Sequence, residues 1–175
     1  MSKTRPDTPP IRLNCAVLTI SDTRTRANDT SGDYLEHALT EAGHHCVQRE
    51  ISSGNIYELR KIISAWIADP TIQVILTNGG TGYSHQKATA AAITPLLDVT
   101  IAGFGELFRH LSFLEIGSST LQSDAFAGGA NDTLIFCMPG STGACRTAFE
   151  RIIKEQLDST HRPCNFATHY LESSG

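Results

Sequence analysis

"ILTNGGTGYSHQKAT", residues 75–89, carries an apolar run, Val74-Ile75-Leu76, straight into Gly79-Gly80-Thr81-Gly82 and then into a helix-forming stretch. A short continuous apolar run bounded by turn residues is the pattern of a strand buried on both faces, as in a parallel sheet covered by helices. Such a strand delivers a glycine-rich loop whose backbone N–H groups can approach an anion closely. The loop is neither GxGxxG nor GxxxxGK[ST], which leaves a dinucleotide fingerprint and a Walker loop unsupported.

Similar units lie on either side. "LNCAVLTI" (13–20) and "TLIFC" (133–137) are further buried strands, and "HHCVQREI" (44–51), with its polar alternation, reads as a strand at a sheet edge. Between them, Asp29-Thr30-Ser31 offers an N-cap to a helix marked by Tyr34, Leu35, Ala38, Leu39 and Ala42 and closed by Gly43. "NIYELRKIISAWIAD" (55–69) is an amphipathic helix ended by Asp69-Pro70. Further helices are predicted over 88–98, interrupted at Pro95, over 105–117, and over about 142–157. The alanine- and glycine-rich stretch 119–132 reads as a short helix leading into a turn at Gly128-Gly129. This alternation predicts an α/β fold with an open, mostly parallel sheet covered by helices. Ligands of such folds bind outside the carboxyl ends of the strands. Three loops fall there: Ser21-Asp22, Gly79 to Gly82, and Pro139-Gly140-Ser141-Thr142.

Composition narrows the partners. The 175 residues fit one compact domain, and a net charge of −4 argues against nucleic-acid binding. No apolar run approaches the ~20 residues that cross a bilayer. The N-terminus has no apolar signal region, so residues 1–11 are expected to be a loose arm and the chain cytoplasmic. Residues 12–160 are assigned to the domain and 161–175 to a tail. Five widely spaced cysteines without a CxxC pair indicate neither a disulfide framework nor a zinc site. Cys15 and Cys137 are expected in the core, and His44-His45-Cys46 in a solvated helix-to-strand turn.

Among candidate site residues, Thr77, Asn78 and Thr81 can supply side-chain hydrogen bonds beside the glycines. Asp22 can hold Mg²⁺, recognise a ring N–H, or cap the loop backbone. Ser141 or Thr142 can cap the last helix or help bind a second anion, and Arg146 points at phosphate or solvent. Glu106 is expected in the first turn of its helix, where the dipole favours an acid. Ser118-Ser119-Thr120 is a hydroxyl cluster that either donates to a ligand or caps a helix. His85 and His110 are expected at the surface.

Together "LTISD", "DTSG", "TNGGTG", "AGFGELFR", "LSFLEIGSSTLQSDAFAG", "TLIFCMPGST" and "RPCNF" resemble the molybdenum-cofactor biosynthesis family of molybdopterin-binding domains, the MoaB/Mog family, and most closely its B branch. The resemblance implies a three-layer α/β/α domain that forms homotrimers or homohexamers. It implies molybdopterin as ligand and, in active members, adenylylation of molybdopterin with Mg²⁺ and ATP. It assigns substrate binding to Ser21, Gly79, Gly80, Thr81, Gly82, Ser118, Ser119, Thr120, Pro139, Gly140 and Ser141. Asp22 and Glu106 become the candidate catalytic acids. Where the family pattern places an aspartate after GGTG this chain has Lys87, and Ile51-Ser52-Ser53-Gly54 lacks an acid common in active members. A protonated lysine cannot ligate Mg²⁺. These departures favour binding over catalysis.

Overall fold

The computed structural model describes residues 9–83 and 88–169. In chain order the elements are β1 (Asn14–Ile20), α1 (Thr30–Glu41), β2 (His45–Ser52), α2 (Ile56–Ala68), β3 (Val74–Gly79), α3 (Ala88–Ile93), β4 (Val99–Thr100), α4 (Ala102–Ile116), β5 (Phe126–Ala130), β6 (Thr133–Met138) and α5 (Thr142–Ala148). A π-helical turn, Phe149–Ile153, and a last α-helical turn, Lys154–Leu157, continue α5. The strands form one six-stranded sheet in the order β2-β1-β3-β6-β5-β4. β2, β1, β3 and β6 run parallel, and β5 is antiparallel to both its neighbours.

The apolar strands are central because both faces need cover. Every residue of β3 and β6 is buried. On one side Val17, Leu76 and Phe136 pack under α1, α4 and α5 with Leu35, Phe108 and Phe149. On the other, Leu18, Ile75 and Ile135 pack under α2 and α3 with Leu59, Ile63 and Ile93. The result is a three-layer α/β/α fold, and β2, with its mostly polar outward side chains, forms one edge as its alternation predicted.

Some expectations are corrected. The short helix expected at the start of 119–132 is a 3₁₀ helix, Gly117–Gln122, but strand β5 follows where a turn was expected. Gly128 lies within that strand, where a Cβ would come 2.5 Å from the Val99 carbonyl of β4, so the glycine marks close backbone approach rather than a turn. The turn falls at Asn131-Asp132, whose φ angles of 47° and 61° are left-handed. The two-residue strand β4 has no periodicity to reveal it.

His44 is buried rather than solvated; its Nδ1 accepts a 3.3 Å hydrogen bond from the Leu13 N–H. Phe104 and Phe108 are core residues, while Leu107, Phe113, Leu114, Ile116 and Leu121 are the exposed apolar side chains of α4 and the following turn. At the chain ends, the Ile11 N–H donates to Ser159 Oγ, and the N–H groups of Phe166 and Ala167 both donate to the Gln156 carbonyl. Among the described residues no helix is long and apolar enough to cross a membrane.

Candidate functional site

Parallel β1, β3 and β6 end at the same edge of the sheet, so the three loops meet there. A cleft of about 410 Å³ opens on this edge, lined by Ile20, Ser21, Asp22, Thr23, Gly54, Gly80 and Gly82.

The glycine loop holds a conformation that side chains would disturb. Gly79 and Gly80 have φ of 95° and 64°, which L-residues rarely adopt. A Cβ on Gly79 would run into the Ile20 carbonyl, and one on Gly80 into Thr89 Oγ1. Gly82 differs: its φ is not positive and nothing lies within 4 Å of a Cβ placed there. Its bare backbone faces the cleft for lack of a side chain rather than for an unusual turn. Thr89, in the first turn of α3, fastens the loop from behind. Its hydroxyl donates to the Gly79 carbonyl at 2.8 Å and its N–H to the Gly80 carbonyl at 3.3 Å.

The facing loop comes into contact at Gly140, where a Cβ would sit 3.1 Å from Gly79 Cα. Ser141 caps α5, its Oγ accepting from the Ala144 N–H at 3.1 Å. Ser31 Oγ donates to the Gly140 carbonyl at 2.8 Å, tying this loop to the start of α1.

On the β1 side, Ser21 Oγ accepts from the N–H groups of Thr23 and Arg24, both at 3.2 Å, and shapes the turn. Asp22 Oδ1 accepts from the Gly54 N–H at 3.1 Å, which ties the β1 loop to the loop after β2. Asp22 is exposed and is the carboxylate that borders the cleft among the described residues.

The polar residues of β3 turn inward. Asn78 Nδ2 donates to Thr19 Oγ1 at 2.9 Å, and Thr19 Oγ1 donates to Asp29 Oδ2 at 2.8 Å. Asp29 is the N-cap of α1, accepting from the Gly32 N–H at 3.0 Å. Burial alone would raise its carboxyl, but hydrogen bonds from Arg49, Gly32 and Thr19 outweigh burial and hold it below the ordinary range. Thr77 and Thr81 are buried.

Other expected site residues lie apart from the cleft. Glu106 is exposed and sits just past the first turn of α4, not within it. Thr120 is buried, its hydroxyl directed at the Arg109 carbonyl at 3.4 Å, and Ser118 and Ser119 accompany it in the 3₁₀ stretch, which has no side-chain cap. Arg146 is held over the Tyr34 ring, 5.2 Å from its centroid. His85 and Lys87 lie outside the described residues. Sequence reasoning missed Thr23, Gly54 and Thr89. Gly54 follows the end of β2, which reaches the same edge, so the parallel topology itself points to it.

An open α/β sheet with bare glycine backbone, a serine and a carboxylate around a cleft at its carboxyl edge is the architecture of a small-ligand-binding domain. The chain belongs to the molybdopterin-binding-domain family of molybdenum-cofactor biosynthesis: residues 16–159 match the family model described as "Probable molybdopterin binding domain". It is 53% identical over 169 residues to molybdenum cofactor biosynthesis protein B of Escherichia coli K12, covering 97% of this chain and 98% of that one. The Bacillus subtilis protein B is 41% identical over 146 residues, covering 83% and 86% of the two chains. A crystal structure of a molybdenum cofactor biosynthesis protein B superposes with a TM-score of 0.83 at 42% identity, covering 86% of this chain and 94% of that one. A Pyrococcus furiosus structure described as a tungsten cofactor synthesizing protein, 28% identical, gives 0.76 over 94% and 98%.

Proposed function

We propose that this protein binds molybdopterin in the cleft between Ser21-Asp22 and Gly80–Gly82, with the anionic end of the ligand against the glycine backbone. The observation that carries this reading is the bare backbone of Gly80 and Gly82 on the wall of a cleft at the sheet's carboxyl edge. Backbone N–H groups satisfy a phosphate without a balancing side-chain charge, which suits a chain of net charge −4. Asp22 supplies an acceptor that pterin ring N–H groups need, and the Ser21 hydroxyl, already accepting from Thr23 and Arg24, has its proton to donate to a ring nitrogen or carbonyl.

Adenylylation with Mg²⁺ and ATP is the second reading, favoured by the place of Asp22 beside Gly80. The donor set for magnesium is thin. Asp22 offers one carboxylate with an oxygen already engaged by Gly54, and no group of three or more His, Cys, Asp or Glu comes together among the described residues. A magnesium ion here would therefore depend on the nucleotide's phosphates and water for most of its shell, with Asp22 as the one carboxylate bordering the cleft among the described residues. The test mixes purified protein with molybdopterin and Mg²⁺-ATP, following pterin binding, pyrophosphate release and adenylylated pterin. Binding without pyrophosphate release is the expected result. Release by the unmodified chain would establish the second reading, and release gained by Lys87→Asp would place the missing acid at residue 87. No pterin binding would overturn both.

We further propose that the chain self-associates through exposed apolar side chains of α4 and the turn after it, Leu107, Phe113, Leu114, Ile116 and Leu121. Light scattering should give a trimer or hexamer, and Leu114→Glu should lower the mass.

A further inference from the structure

The buried polar side chains behind the glycine loop form one continuous chain with a charge at its far end. Arg49 enters from edge strand β2, its side chain only 5% exposed. Its Nη2 donates to Asp29 Oδ2 at 2.9 Å and to the Asp29 carbonyl at 3.3 Å; its Nη1 reaches Glu36 at 2.6 Å and Asp33 at 2.7 Å. From Asp29 the chain runs through Thr19 to Asn78, the residue before Gly79. Gly32 makes room for it, since a Cβ there would meet Asp29 Oδ2 and lie 2.8 Å from Arg49 Nη2.

The direction of every bond in this chain follows from the charges. A guanidinium only donates and an ionised carboxylate only accepts. Thr19 must therefore spend its single proton on Asp29, which leaves its oxygen as an acceptor. Asn78 must then present its NH₂ to Thr19 and turn its amide oxygen away. With Arg49 neutralised, Asp29 could hold a proton, donate to Thr19 and free the threonine proton for Asn78, and the amide would reverse. A buried ion pair is weak as a source of stability, and its best-supported use is to fix one geometry over another.

We propose that Arg49, acting through Asp29, Thr19 and Asn78, is a positioning residue for the Gly79–Gly82 loop, and so for the anionic end of its ligand. The ligand part rests on the molybdopterin-binding reading above. The geometric part stands without it.

The test uses the full chain and four variants, Arg49→Met, Arg49→Lys, Thr19→Val and Thr19→Ser. Two readouts are taken: molybdopterin affinity, and the backbone amide resonances of Gly79 to Thr81 in ligand-free protein. Melting temperature is recorded beside them. Thr19→Val keeps the threonine shape but loses the hydroxyl, whereas Thr19→Ser keeps the hydroxyl and loses a methyl. Positioning predicts about tenfold weaker binding, roughly the weight of one lost hydrogen bond, and shared amide shifts in Arg49→Met and Thr19→Val. Thr19→Ser and Arg49→Lys should bind near normally, even where they melt lower. Affinity that follows melting temperature rather than the hydroxyl, or amides unmoved in Thr19→Val, would overturn the proposal. Should the unmodified protein bind no molybdopterin, the functional reading fails and the ligand-free amide resonances still decide the geometric one.

Discussion

The two ends of the sheet treat their backbone differently. At the amino end, side chains close over strand ends: Gln73 Oε1 accepts from the Asn14 N–H at 2.9 Å, His44 Nδ1 from Leu13, and Thr133 Oγ1 donates to the Ile72 carbonyl at 3.2 Å. At the carboxyl end, five glycines (54, 79, 80, 82 and 140) stand at the strand ends and loops, and the polar side chains there cap turns or point inward. Backbone at the first end is consumed by the fold. At the second end it is held in place but left open, which is what a ligand-binding edge requires.

This contrast can be broken at graded cost. Gly79→Ala should be the most damaging change, because it combines a left-handed φ with a collision against the Ile20 carbonyl. A loss of roughly 3 kcal/mol is expected by urea unfolding. Gly140→Ala has no φ penalty and only a 3.1 Å approach to Gly79 Cα, so about 1 kcal/mol is expected.

At the amino end the lever is pH. Burial holds the His44 imidazole below its ordinary pKa of 6.5. As pH falls through 6.5 the unfolded chain takes up a proton that the folded chain refuses, so stability must drop on acidification. A weaker dependence of the urea midpoint between pH 7 and 5 is expected for His44→Asn, which keeps an acceptor and does not titrate. At the carboxyl end Asp29, behind the glycine loop, adds a further loss at lower pH, since its folded pKa is depressed below 3.8. Gly82→Ala should be the mildest, within about 0.5 kcal/mol in stability. Its methyl would nonetheless enter the cleft, and several-fold weaker molybdopterin binding by titration is the expected sign.

The carboxyl end was largely legible in the sequence, because apolar runs such as Val74-Ile75-Leu76 and Thr133–Cys137 lead within three residues to glycine and can be aligned by topology alone. The amino end was not. His44 looks like a turn residue because the group that engages its buried ring, the Leu13 N–H, lies 31 residues away in the chain. In β5, glycine and alanine read as turn and helix signals, whereas Gly128 serves close packing against β4. Within the site, the glycines and Ser21-Asp22 were legible. The inward turn of Asn78 was not, because Thr19, Asp29 and Arg49 are brought together only by strand pairing and the docking of α1.

The clasp made by Thr89 ties a helix to the glycine turn of the neighbouring strand. Because it grips the carbonyls of both Gly79 and Gly80, the turn is held from outside the glycine run itself. It works as a bracket does under a shelf, bearing from one side and leaving the other bare. A change at residue 89 therefore reaches the turn as directly as a change within it.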